Sequence, residues 1–145
     1  MALILAVFAL VIIGGLVASN FMGGLLEQQS GRSVLQAVQA QQAAEGELWA
    51  VLPQVEAARL LSLPLRGPPL ELDHPSPEPG LVVQSRVARL ADNLFLVLSR
   101  AVRQDAAGGP LAIRSVGLLT TLAEDGSSGA KTLRPISQRA WLQLY

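Results

Sequence analysis

The first 26 residues contain no charged side chain, and this feature constrains the chain more than any other. The run MALILAVFALVIIGGLVASNFMGGLL ends directly before the first ionisable side chain, Glu27. A helix needs about 20 mostly apolar residues to cross the hydrocarbon layer of a bilayer. Between Met1 and Phe21 there are twelve Leu, Ile, Val or Phe residues, which together contribute roughly 4 to 7 kcal/mol to membrane insertion. The sequence therefore predicts that residues 1–26 form a helix able to span a membrane.

A cleavable signal peptide is the alternative interpretation of this segment. Such a peptide has a basic n-region, a shorter apolar run and a small-residue cleavage site. The chain has no Lys or Arg before Arg32, so the first requirement is not met. Cationic flanks also orient a membrane anchor. We therefore expect that a leader with such residues preceded Met1 and was removed.

Charge and cysteine content exclude several classes of function. The 145 residues include 11 basic and 11 acidic side chains, a balance that gives no basic surface for nucleic acid. Cysteine is absent, which excludes disulfides and thiolate metal sites. The length allows one small domain beside the apolar helix.

Residues 27–63 are polar overall but remain helical in composition, because Ala, Gln, Glu and Leu dominate. Apolar residues recur largely at steps of three or four, which predicts an amphipathic continuation of the helix: Val34, Val38, Ala44, Leu48, Val51, Val55, Ala58 and Leu61. Pro53 should bend this helix or interrupt its hydrogen bonds. Leu48, Val51, Val55 and Leu61 are the predicted contacts between the helix and a sheet.

Two glycine pairs, Gly14-Gly15 and Gly23-Gly24, lie within or next to the apolar run. Each glycine lowers helix propensity by up to about 1 kcal/mol relative to alanine, so the helix can melt locally there. Close packing against another helix is the other interpretation.

The remainder of the chain predicts a connector and a sheet. Residues 64–79 hold six of the nine prolines and should form an extended connector without regular structure. Residues 80–145 contain three β-type runs separated by turn signals, with two short additions near the end: 81–90, 93–102, 111–122, 131–136 and 141–145. The run Leu94 to Leu98 is also compatible with a buried helix, although strand is the interpretation we favour.

A sheet of this size leaves an apolar face in water unless another element covers it. The stripe from Leu48 to Leu61 is the natural cover. We therefore predict an α+β fold in which the distal half of a long N-terminal helix packs on a small antiparallel sheet and its apolar half protrudes.

No constellation of side chains predicts catalysis. The single histidine, His74, lies between Asp73 and a proline, where a solvated loop residue is the expected role. The Gly126 to Gly129 stretch is a flexible turn rather than a phosphate loop. Trp49, Trp141 and Tyr145 could form a binding patch, but aromatic residues this sparse are usually core residues or membrane-interface anchors. We expect no enzymatic activity, metal or cofactor.

The layout resembles the type IV pilin superfamily, which includes pilus subunits, minor pilins and type II secretion pseudopilins. The resemblance rests on the apolar start at Met1, the Gly14-Gly15 pair, and the polar continuation with Ala43-Ala44-Glu45. Two departures are Leu5, where the family usually has glutamate, and the absence of the usual proline near the end of the apolar run. As a sequence match it covers about the first third of the chain.

This resemblance implies a structural subunit of an extracellular helical homopolymer. Met1 would be the residue exposed by a prepilin peptidase and N-methylated. The residues expected to lie in the membrane and later in the filament core are Leu3, Leu5, Phe8, Val11, Ile12 and Leu16. The implied partners are copies of the chain, the assembly machinery and the inner membrane before assembly.

Three alternatives remain open. The subunit is either a main building block or a minor, capping one, since some pseudopilins that cap the assembly also have leucine at the position of Leu5. Alternatively, the chain is a single-pass membrane-anchored binding module, or, less favoured, an anchored enzyme.

Overall fold

The chain folds as a long N-terminal helix followed by a small antiparallel sheet, an α+β fold that confirms the predicted class. The computed structural model describes residues 2–73, 78–124, 131–136 and 141–144. The helices are α1 (Ala2–Val51) and α2 (Ala57–Leu61). The strands are β1 (Leu70–Asp73), β2 (Leu81–Ala91), β3 (Leu94–Gln104), β4 (Pro110–Glu124), β5 (Lys131–Pro135) and β6 (Trp141–Leu144). The chain divides into two compact units, Met1–Leu35 and Gln36–Tyr145.

The first unit is helical throughout its described residues. Helix α1 continues through Gly14, Gly15, Gly23 and Gly24 without interruption, and a Cβ added at any of them would meet no atom within 4 Å. Melting at these glycines is therefore not seen in this structure, and it stays a prediction for the assembled state.

In the second unit, α1 buries one narrow face. Ala40, Ala44, Leu48 and Val51 have no exposed surface and belong to the same core as the sheet. Their spacing of four, four and three residues keeps them on one side of a helix. Val34 and Val38, which the sequence placed on this stripe, are 59% and 45% exposed. The six-residue step from Val38 to Ala44 explains this, because six residues rotate by about 240° around a helix of 3.6 residues per turn.

The helical continuation does not run to residue 63. Helix α1 ends at Val51, two residues before Pro53, because proline lacks an N–H donor and its ring disfavours helical geometry in the preceding residue. A turn follows, and the chain becomes helical again in α2, which begins at Ala57.

One predicted packing residue is wrong, because α2 is a separate helix after the break at Pro53. Leu48, Val51 and Val55 are in the core, but Leu61 is 44% exposed and its neighbour Leu60 is completely buried. Leu61 was assigned by continuing the periodicity of α1. The break at Pro53 resets that periodicity, so Leu60 contacts the core instead.

The sheet is an antiparallel meander in the order β1-β2-β3-β4-β5, and β6 also pairs with β4. Strand β3 lies against β4 along its full length, while β5 and β6 share the opposite edge of β4. Within each strand, every second residue faces α1, as strand geometry requires. The largest buried side chains on this inner face are Val87, Phe95, Val97, Val116 and Leu118.

The predicted strands are confirmed, including strand rather than helix for Leu94 to Leu98. The connector prediction is wrong in part, because β1 lies inside residues 64–79 and pairs with β2. The prolines flank the sequence Leu-Glu-Leu-Asp without interrupting it, and this stretch alternates apolar and acidic residues as a strand does. Residues 70–73 therefore belong to the sheet.

Arg89 fixes the segment after α2 to the sheet. Its guanidinium donates hydrogen bonds to the carbonyl oxygens of Leu61 and Leu63 at 2.7 and 3.2 Å. The backbone N–H of Arg66 donates to the carbonyl oxygen of Arg89 at 2.9 Å. These contacts hold the chain in place between α2 and β1.

The contrast between Leu60 and Leu61 is directly testable. Leu60→Ala should lower the free energy of unfolding by about 2 to 5 kcal/mol, because it leaves a cavity in the core. The adjacent control Leu61→Ala should cost less than about 1 kcal/mol, because its side chain already contacts water. Thermal or urea unfolding of the full chain in detergent measures both. Equal destabilisation by the two substitutions would contradict the core assignment.

Candidate assembly surfaces

The described side chains of the first unit leave an apolar surface uncovered. From Leu3 to Leu26, which we call the apolar segment, each large apolar side chain described is between 44% and 80% exposed. The predicted anchor residues are among them: Leu3 80%, Phe8 66%, Val11 67%, Ile12 49% and Leu16 61%. The side chain of Leu5 and all of Met1 lie outside the described part of the chain. Soluble monomers rarely expose apolar patches above a few hundred Å².

Apolar side chains project from every side of the apolar segment, so this part of the helix has no polar face. An 18-residue window of α1 has a mean hydropathy of 2.0, and none of that window is buried. A helix that is apolar all round is suited to a membrane or to the centre of a bundle. By length and composition, α1 can therefore span a membrane.

The face of the sheet that points away from α1 is also largely apolar. We call it the sheet exterior, and the strand registers place on it Val82, Gln84, Arg86, Ala88, Leu94, Leu96, Leu98, Arg100, Val102, Ile113, Ser115, Gly117, Leu119 and Leu142, together with the polar Glu71, Thr121 and Arg134. At Gly117 a Cβ would come within 3.0 Å of Cδ2 of Leu98 and 3.4 Å of Cβ of Leu142. Glycine there lets these two leucines close over the strand. An antiparallel sheet with one solvated face normally shows polar residues on it.

Charged side chains interrupt this apolar surface, among them Arg86 and Arg100. Nη2 of Arg86 lies 3.0 Å from Oε1 of Glu71, which neutralises that cation locally. Arg100 forms no ion pair or hydrogen bond among the residues that the structure describes. Between the two lies a groove of about 180 Å³ that Gln84, Leu98 and Ser115 help to line. The sheet exterior therefore combines an apolar floor with Arg100, a cation that has no partner among the described residues.

One face of α1 outside its buried stripe carries two exposed apolar side chains and two polar ones. Val38, Gln42, Glu45 and Trp49, which we call the helix exterior, follow a spacing of four, three and four residues and so share one face. Val38 is 45% and Trp49 49% exposed. The spacing was visible in the sequence, but Val38 was assigned there to the buried stripe.

Trp49 also contacts the sheet. Its ring lies edge-on to that of Trp141 with 5.8 Å between centroids and 61° between planes. Each indole remains nearly half exposed, so the pair is neither a core contact nor a closed binding pocket. Tyr145, the third aromatic residue considered for a patch, lies outside the described residues.

The described side chains do not converge on a reactive centre. Ser85 and Ser99 face each other across β2 and β3 and are buried, and neither hydroxyl has a hydrogen-bond partner in the described structure. A serine nucleophile needs an adjacent base. Among described residues no group of three His, Cys, Asp or Glu side chains suits a metal ion. His74 and the Gly126 to Gly129 stretch lie outside them, and the absence of enzymatic activity stays a prediction.

Comparison with models of protein families, with curated proteins and with solved structures finds no match. The functional interpretation therefore depends on the three surfaces above. Of these, the apolar segment is the largest departure from an ordinary soluble surface.

Membrane association through the apolar segment can be tested by lysine substitutions within it. Ile12→Lys combined with Leu16→Lys should cost about 5 to 7 kcal/mol, which cancels the roughly 4 to 7 kcal/mol that favours insertion. The variant should then leave membranes washed at alkaline pH, whereas the parent should stay. The control Gln28→Lys with Gln29→Lys adds the same charge beyond the apolar segment and should stay with the parent. Retention of the Ile12/Leu16 variant to the same extent would argue against a spanning helix.

Proposed function

We propose that the chain is a structural subunit of a type IV pilus-like extracellular filament, assembled through the apolar segment of α1. The single observation that supports this most strongly is the exposure of that segment, whose large apolar side chains are between 44% and 80% exposed. A surface of this kind requires lipid or other apolar helices around it. Copies of the same chain can supply those helices.

The physical basis of assembly is a transfer between two apolar surroundings. In the membrane, lipid tails cover the apolar segment; in the filament, the segments of neighbouring copies cover one another. Lipid is about as apolar as leucine, so the net driving force for exchange comes from side-chain packing and is small. This small difference is consistent with a subunit that is stored in the membrane and then assembled.

Growth of an open-ended filament requires a contact that joins different surfaces of successive copies. Such heterologous contacts give open helical assemblies unless the rotation between copies closes a ring. Helices packed side by side with an axial offset provide a contact of this type. The sheet of each copy then lies outside the bundle of apolar segments.

The position of Leu5 bears on how neighbours dock. The family that the sequence resembles usually has a glutamate there, which neutralises the terminal amine of a neighbour. With leucine at this position, packing of apolar side chains replaces the ionic contact. A minor or capping subunit and a single-pass anchored binding module are the alternatives.

Substitution of Leu5 tests the filament against the anchor. Leu5→Arg should lower incorporation into sheared surface filaments at least tenfold, because a cation without a partner in an apolar core costs about 2.5 to 3.5 kcal/mol or more. Leu5→Ile is the matched control and should assemble like the parent. Leu5→Glu should assemble as well as or better than the parent, because it can pair with the terminal amine of a neighbour.

Electron microscopy of the sheared fraction, at matched expression, measures filament yield for all variants. An anchored module predicts that none of the substitutions changes any assembly. Equal filament yield for Leu5→Arg and the parent would exclude the apolar segment from the assembly interface.

A further inference from the structure

The second unit has two surfaces on which apolar side chains remain partly exposed. The sheet exterior carries Leu96, Leu98, Leu119 and Leu142, and the helix exterior carries Val38 and Trp49. The two surfaces belong to different layers of the same unit, because the helix covers the inner face of the sheet. Each layer therefore carries apolar side chains outside the shared core.

The sheet exterior is large enough for a contact between subunits. Strands of 11 residues are about 37 Å long, and five neighbouring strands span about 20 Å. The resulting face covers roughly 700 Å², close to the ~800 Å² that each partner contributes to a standard interface.

The charges of the two surfaces are complementary. On the sheet exterior, Arg100 has no partner among the described residues, and Arg86 is paired with Glu71. On α1, residues 36–51 contain Glu45 and Glu47 and no Lys or Arg. Glu45 accepts a hydrogen bond from Nε2 of Gln41 at 3.0 Å, and it lies one turn from Trp49 on the same face. A carboxylate beside an exposed indole is the chemistry that the groove between Arg86 and Arg100 can accept.

We propose that the sheet exterior of one copy binds the helix exterior of the next copy, with Glu45 pairing with Arg100 and Trp49 lying at the groove beside Leu98. This contact repeats between chains the helix-on-sheet packing that each chain makes within itself. It is heterologous, so it propagates as an open row of subunits. It rests on the proposed filament and adds to the apolar segment a second interface that sets the spacing of subunits.

A contact between two sheet exteriors is disfavoured. Such a contact would place Arg100 of both copies on the same interface, and like charges without a compensating anion oppose association. The helix exterior avoids this cost because it brings a carboxylate.

The absence of cysteine from the chain permits a crosslinking test in the full-length protein. In the chain with both Gln42→Cys and Ser115→Cys, mild oxidation should join one helix exterior to the next sheet exterior and give a ladder of dimers, trimers and longer species. Each single substitution should give no ladder. The control pair Gln42→Cys and Asp92→Cys, whose second site is in the turn after β2, should give none.

Charge reversal in the double-cysteine chain tests the pairing. Glu45→Arg alone and Arg100→Glu alone should each lower the yield of trimers and longer species about tenfold, and the two together should restore it to within about twofold. Equal yields in all four chains would overturn the pairing. Efficient dimers from Ser115→Cys alone would show that two sheet exteriors meet and would overturn the inference.

Electron microscopy of the same samples separates this inference from the proposed function. Filaments that give no ladder overturn the inference and leave the filament standing. A ladder in a full-length chain that forms no filaments supports the inference and overturns the proposed function. A chain with neither result overturns both.

Discussion

The packing of the inner face of α1 on the sheet is the interaction on which the rest of the structure depends. Ala40 and Ala44 are small enough for a close approach of the helix, and Leu48 and Val51 share one buried core with Phe95, Val97 and Leu118 of the sheet. Without the helix, this face of the sheet would be exposed to water. Burying a residue of this size completely stabilises a fold by about 1.5 to 3 kcal/mol. The element that carries the apolar segment is therefore also the element that completes the sheet domain.

This double use of one helix explains the contrast between its two parts. Between residues 3 and 26 the apolar side chains surround the helix, whereas between 40 and 51 the buried ones occupy a single face. The first pattern suits an environment that is apolar on every side, and the second suits a helix with a sheet on one side. The change occurs along one continuous helix without a proline or a loop before Val51. The two parts of α1 therefore differ in amino-acid composition, while the helix itself is continuous.

Much of the fold follows from local sequence signals. The strands are bounded by turn residues and rich in β-branched or leucine side chains, and these signals act over a few residues. The features that the sequence did not predict depend on how far the helix rotates between residues and on which segments lie next to one another. The stripe on α1 was placed on the wrong side at Val34 and Val38 because a step of six residues changes the face, and Leu61 was misplaced because Pro53 resets the helix. Strand β1 was hidden by the prolines around it.

The two-sided character of the sheet was also present in the sequence. The run Leu94 to Leu98 is apolar at every position, and such continuous runs are typical of strands buried on both faces. Only the registers show that Leu96 and Leu98 share a face with Leu119 and Leu142.

The edge of strand β4 bears on the order of events during biosynthesis. The far edge of β4 is paired by β5 and β6, which follow it in the sequence, so a nascent chain that ends at Glu124 presents an open strand edge. Open edges pair readily with other strands, so this edge can pair with other chains until β5 and β6 have been synthesised and lie against it.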